Sequence, residues 1–142
     1  MPHTSVASFE EEAIRGAGLR VTESRRAVYS ALGMKPHASA DEVYSAVAAA
    51  LPATSLQSVY NALSDFADAG IVRLIEPAGH RRRYELRVDD NHHHIVCTEC
   101  GAIADVDCAV GHTPCLTPSD AHGFRVHTAE VTYWGVCSDC AA

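Results

Sequence analysis

No apolar run in this 142-residue chain approaches the roughly 18 residues that a membrane-spanning helix requires, so no membrane partner is expected. Residues 1–12 lack the basic stretch followed by an apolar stretch that marks a secretory leader, which points to a cytoplasmic protein. Internal repeats and low-complexity segments are absent too. Positive charge is nearly missing from the second part: residues 89–142 hold one arginine against eight Asp/Glu, whereas residues 1–88 hold ten of each sign. The whole formal charge of −7 therefore lies beyond residue 88. Such a segment is repelled by a phosphate backbone and suits cations, while a neutral first part with clustered arginines can still approach nucleic acid. The length permits two small lobes, and a small lobe with a thin core gains from a structural metal.

The chain does carry six cysteines, and four of them form two tight pairs, Cys97-x-x-Cys100 and Cys137-x-x-Cys140. Reducing conditions in the cytoplasm keep such cysteines as thiols. The spacing suits a metal better than a framework disulfide, and four thiolates select tetrahedral Zn(II). The first pair follows His92-His93-His94 directly. On a strand, His92 and His94 point to one face and His93 to the other, so the triplet can serve two environments. Asp105 lies on the next strand, Glu85 sits at the end of a hairpin, and His37 precedes a helix. These imidazoles and carboxylates form a nitrogen and oxygen set that suits Fe(II), Mn(II) or Zn(II).

Helical periodicity predicts a helix over Phe9–Gly18, a second capped by Thr22 and ending near Gly33, and a third opened by the Ser39-x-x-Glu42 capping box and stopped by Pro52. A fourth, capped by Ser55 and ended by Gly70, carries Leu56, Val59, Leu63 and Phe66 on its apolar face. Gln57, Ser58, Tyr60, Asn61 and Ser64 lie off that stripe and are residue types that reach base edges or phosphates. Residues 71–75 and 83–88 read as a hairpin around Pro77-Ala-Gly79, which completes a winged helix-turn-helix. Arg81, Arg82 and Arg83 at its tip can straddle a phosphate backbone, and Arg20, Arg25 and Arg26 flank the second helix. From Asp89 onward the periodicity becomes strand-like over residues 94–97, 102–106 and 129–134, with one short helix expected around Pro118–His122. The fold class is α+β: an N-terminal winged helix-turn-helix domain and a small C-terminal α/β domain with structural zinc.

Gly18-Leu-Arg-Val-Thr-Glu-Ser-Arg25, His37-Ala-Ser-Ala-Asp-Glu42, Ser58-Val-Tyr-Asn-Ala-Leu63, Ala69-Gly-Ile-Val72, the histidine triplet, both cysteine pairs and Tyr133-Trp-Gly-Val-Cys137 together resemble the ferric uptake regulator family over nearly the full length. The resemblance implies a DNA-binding domain over 1–86, a hinge at 87–91 and a dimerisation domain over 92–142. It implies a homodimer that represses transcription from double-stranded palindromic operators. By the same resemblance Cys97, Cys100, Cys137 and Cys140 match the structural zinc ligands. His37, Glu85, His92, His94 and Asp105 match a regulatory Fe(II) or Mn(II) site bridging the lobes. Tyr60 matches a base-contacting tyrosine and Arg20 a backbone-contacting region. A variant second regulatory site would draw on His93, His112 and His127.

Asp105 is similar to the aspartate of the family's peroxide-sensing branch, and residues 90–97 and 107–120 resemble actinobacterial members associated with catalase genes. In that branch peroxide oxidises a ligand histidine, with His37 and His92 the candidates here, and release from DNA follows. Glu85 resembles instead the iron-uptake repressors, which form one alternative. A thiol switch through Cys108 and Cys115, left spare by the zinc, is a second. A metal hydrolase is a third, since His and carboxylate clusters also activate water, but it leaves the wing and the polar helix face unexplained and no independent nucleophile motif is present.

Overall fold

Three side-chain hydroxyls start three helices. Thr22 accepts from the Arg25 amide at 3.1 Å, Ser39 from the Glu42 amide at 3.3 Å and Ser55 from the Ser58 amide at 3.1 Å, each satisfying a first-turn donor that has no partner within its helix. The computed structural model describes residues 6–86, 88, 92–107 and 118–142. Most of the expected hinge, together with Cys108, His112 and Cys115, lies outside the described residues. The chain divides into two compact units, Met1–Val88 and Asp89–Ala142.

The first unit contains α1 (Val6–Gly16), α2 (Glu23–Met34), α3 (Ala40–Ala50), α4 (Leu56–Asp68), β1 (Arg73–Ile75) and β2 (Arg83–Glu85). Its core is built from the stripes that periodicity predicts: Ile14, Val28, Leu32, Val43, Val47, Val59, Leu63 and Phe66 are all buried. Tyr29 packs edge-on against Phe66, ring centroids 6.0 Å apart. Gly18 and Gly70, at φ +79°, end α1 and α4. At each, the glycine amide bonds back three residues and the next amide five, the Schellman closure that needs a left-handed residue. β1 and β2 pair antiparallel with Leu74 opposite Tyr84, and Tyr84 also bridges Ala38 just before α3. This is the winged helix-turn-helix, with α3 and α4 joined by residues 51–55.

The second unit contains β3 (His93–Cys97), β4 (Ile103–Val106), β5 (Thr132–Gly135) and α5 (Ser138–Ala141). Strand order is β4-β3-β5, with β3 antiparallel to β4 and parallel to β5. The helix expected around Pro118–His122 does not form. Asp120 accepts from the His122 amide at 2.8 Å, and His122 and Gly123 adopt φ +49° and +80°, so the side chain offers the backbone a turn in place of a helix. α5, a single turn begun at Cys137, is the helix among the described residues of this unit. No helix among the described residues is long and apolar enough to cross a membrane.

Because Phe66 on α4 is fully buried and packs against Tyr29 of α2, Phe66→Ala is expected to destabilise the first unit by about 3–5 kcal/mol. Urea unfolding followed by far-ultraviolet circular dichroism measures it, and the single Trp134 on β5 reports separately on the second unit.

Candidate metal centres

Parallel pairing of β5 beside β3 places Gly135 opposite Cys97, and this brings the second cysteine pair to the first. The four thiol sulfurs lie within 4.8 Å of one another, all four cysteines are free, and Cys100 Sγ is 3.7 Å from Cys137 Sγ. A disulfide would hold two sulfurs at about 2.05 Å. Four thiolates about 2.3 Å from a tetrahedral Zn(II) stand about 3.8 Å apart, so the spacing fits zinc. Cys97 Sγ accepts from the amides of Cys100 at 3.5 Å and Cys137 at 3.4 Å. These amides, with that of Glu99, pull its thiol down to about 6. Sulfur contacts with Cys137 and Cys100 push Cys140 up to about 12. The amide donors thus favour the Cys97 thiolate, and a bound metal would displace the proton from Cys140.

Each unit also carries imidazoles against a carboxylate. In the first, His37 Nε2 lies 3.0 Å from Glu85 Oε2, and Glu85 is only 2 % exposed. His37 itself adopts φ +64°, a left-handed backbone that costs on the order of 1–3 kcal/mol and persists only where neighbours enforce it. In the second, His92 Nε2 and His94 Nε2 both approach Asp105 Oδ1, at 3.4 and 3.3 Å, with their rings edge-on at 4.8 Å. His94 and Asp105 are register partners across β3 and β4. His93, on the opposite face of β3, accepts from the Val131 amide at 3.3 Å through Nδ1. His127 is exposed, and His112 lies outside the described residues.

On the winged unit, α4 presents Tyr60, 43 % exposed, together with Gln57 and Asn61, whose side chains bond to each other at 2.9 Å. Ser58 shares a hydroxyl bond with Ser55 at 2.9 Å. Tyr60 lines a groove of about 350 Å³ with Ser39, Asp41, Arg81, Arg82 and Tyr84. Arg81 and Arg82 reach Asp41 and Glu76, each at 3.1 Å, and their side chains are 71 % and 68 % exposed. Such pairs contribute about 0–1 kcal/mol and yield readily to a phosphate. Arg20 is exposed.

Two arginines of the expected DNA-contacting set, Arg25 and Arg83, are engaged within the fold. Arg25 is spent on the Arg20 carbonyl at 2.7 Å and Asp65 at 3.0 Å, tying α2 to α4. Arg83 turns inward to Glu42 at 3.0 Å and to the His37 carbonyl at 3.3 Å. Glu42, expected only as a helix cap, also pairs with Lys35 and Ser39. Its sequence signal is the capping box, and nothing local connects it to an arginine 41 positions away.

A winged helix-turn-helix joined in one chain to a thiolate centre and imidazole–carboxylate pairs defines a metal-binding regulator of the winged-helix class. The ferric uptake regulator family model matches residues 16–134, and the chain belongs to that family. It is 53 % identical over 138 residues to the transcriptional regulator FurA of Mycobacterium tuberculosis, covering 97 % of this chain and 93 % of the relative. It is 31 % identical over 136 residues to the peroxide operon regulator of Bacillus subtilis, covering 92 % and 90 %. Among solved structures, the Vibrio cholerae ferric uptake regulator superposes with a TM-score of 0.66 at 26 % identity, covering 89 % of this chain and 98 % of that one. The chain is therefore a transcriptional regulator of this family and not an enzyme.

Cys97→Ser is expected to abolish stoichiometric zinc and to shift Trp134 fluorescence towards that of an unfolded second unit, read by metal analysis after mild chelation. A second expectation concerns pH. Burial opposes ionisation of Glu42, but Lys35, Ser39 and Arg83 outweigh it and hold the carboxyl below its ordinary value of 4.5. A lowered folded pKa gives stability that is present above the ordinary value and lost as pH falls through the folded one. Melting temperatures between about pH 6 and about pH 3 should fall less steeply below about pH 4.5 in Glu42→Gln than in the native protein.

Proposed function

We propose that the protein is a metal-dependent, homodimeric repressor that releases operator DNA in response to peroxide, acting in the cytoplasm on catalase and other oxidative-stress genes. The observation that carries the reading is Asp105, a short carboxylate approached by both His92 and His94. Support comes also from the similarity to a peroxide operon regulator.

In this reading the winged domain extends to residue 86, a hinge covers residues 87–91, and the domain from residue 92 dimerises. His37 and Glu85 from one domain, with His92, His94 and Asp105 from the other, together hold one regulatory ion. Neither set alone completes a five-ligand shell, so occupancy favours the arrangement in which the domains are drawn together. Two α4 helices are then fixed about 34–36 Å apart, facing successive major grooves of a palindrome. Gln57, Ser58, Tyr60 and Asn61 meet base edges, and Arg20, Arg81 and Arg82 meet phosphates. The four cysteines hold Zn(II) throughout.

His37, Glu85, His92, His94 and Asp105 would hold Fe(II), which would supply the electrons that reduce hydrogen peroxide beside the ligand histidines. His37 or His92 would take one oxygen as the peroxide O–O bond breaks and water leaves, would cease to act as a ligand, and the domains would then separate. Mn(II) in the same position supports DNA binding without that oxidation. Glu85 favours a second reading, an iron-responsive repressor with the same ligands and no peroxide chemistry.

Anaerobic Fe(II)-loaded protein bound to its own promoter, challenged with stoichiometric peroxide, should release DNA and gain oxygen on His37 or His92 by mass spectrometry, while the Mn(II) complex survives. Equal survival with no oxidised histidine sinks the peroxide reading. His92→Ala should lose metal-dependent DNA binding and keep its zinc.

A further inference from the structure

Three consecutive residues of β2 each hold a different atom group of the loop before α3. Glu85 meets the His37 ring at 3.0 Å, the Tyr84 amide donates to the Ala38 carbonyl at 3.0 Å, and Arg83 Nη1 donates to the His37 carbonyl at 3.3 Å. The same nitrogen donates to Glu42 Oε1 at 3.0 Å, and Glu42 is anchored in turn by Lys35 and Ser39. His37 thus occupies its left-handed conformation, φ +64°, with its carbonyl fixed from the strand that also carries its carboxylate partner.

Arg83 Nε is buried and has no acceptor among the described residues. A buried, unpaired donor is unfavourable, a cost that an apolar side chain in the same space would not incur. What keeps a guanidinium there is the pair of bonds at its far end.

We propose that Arg83 is a positioning residue for metal binding: it locks the left-handed His37 loop so that the imidazole and Glu85 are presented together as a preformed half of the regulatory site. The wing arginine run then divides, with Arg81 and Arg82 facing outward and Arg83 serving the metal. This rests on the proposed assignment of His37 and Glu85 as regulatory ligands. Residues behind a metal's own ligands set their orientation, and losing one typically weakens binding about 10–100-fold.

The test uses full-length, zinc-loaded protein titrated with Mn(II) and followed by electron paramagnetic resonance. Arg83→Gln should weaken Mn(II) binding about tenfold with zinc content and melting temperature close to native. Both acceptors converge on one nitrogen, so Arg83→Lys, whose ammonium has three donors, should bind within about threefold of native. Glu42→Gln, which removes the anchor and leaves Arg83, should fall between them. At saturating Mn(II), Arg83→Gln should keep the native salt dependence of DNA binding, whereas Arg81→Gln should lower the slope by about one.

Native Mn(II) affinity in Arg83→Gln, a lysine variant no better than the glutamine one, or a lowered salt slope in Arg83→Gln each overturns the proposal. His94→Ala separates this from failure of the regulatory site itself. If His94→Ala binds Mn(II) normally, the ligand assignment has failed; if it loses Mn(II) while Arg83→Gln does not, only the positioning role has.

Discussion

The winged unit depends on one short strand gripping one strained loop. β2 has three residues, too few to be stable as half of an isolated hairpin. It is held because Tyr84 enters the helical core and bridges Ala38, while the charged residues on either side, Arg83 and Glu85, reach the backbone and the ring of His37. Strain at His37 and burial of Glu85 are both unfavourable alone, and each is tolerated because the other residues of the strand remove the alternatives. The wing and the loop before α3 are consequently one structural object, built from residues nearly fifty positions apart.

Charge is partitioned in the same spirit. The first unit, neutral overall, pairs its arginines with carboxylates both in the helical body, at Arg15, Arg25 and Arg26, and in the wing, at Arg81, Arg82 and Arg83. The second unit, carrying the net charge of −7, has strands short enough that its small core needs the thiolate centre as a second source of order. Its two kinds of donor differ in hardness: thiolates suit a softer ion such as Zn(II), and nitrogen with oxygen suits harder divalent ions. Both begin from β3, whose alternation sends His94 to Asp105 and His93 to the Val131 amide.

What the sequence discloses is what is decided locally. Thr22, Ser39 and Ser55 announce helix starts, Gly18 and Gly70 announce stops, and the two cysteine pairs announce a tetrahedral centre, because each signal needs only a few neighbouring residues. The Pro118–His122 helix fails for an equally local reason, the Asp120 side chain competing for the His122 amide, which composition does not weigh correctly. Long-range polar pairing is the illegible part. Arg83 reads like Arg81 and Arg82 until Glu42 is found 41 positions away, and the 3.0 Å approach of His37 to Glu85 follows from the Ala38–Tyr84 bridge, which no periodicity foretells. Asp105 was accessible to pattern because its strand immediately follows the turn that carries Cys100.

Cys100 and Cys137 stand 37 positions apart in sequence, and the stretch between them is closed by β5 lying along β3 and by the sulfurs themselves. With the ends pinned, adding residues between them costs only the slow logarithmic growth of loop entropy, about 0.6 kcal/mol for each doubling. Added length is therefore tolerated only outside β4 and β5, because an insertion within β4 would move Asp105 away from His94, and a single insertion inside Cys97–Cys100 or Cys137–Cys140 would dismantle the thiol cluster.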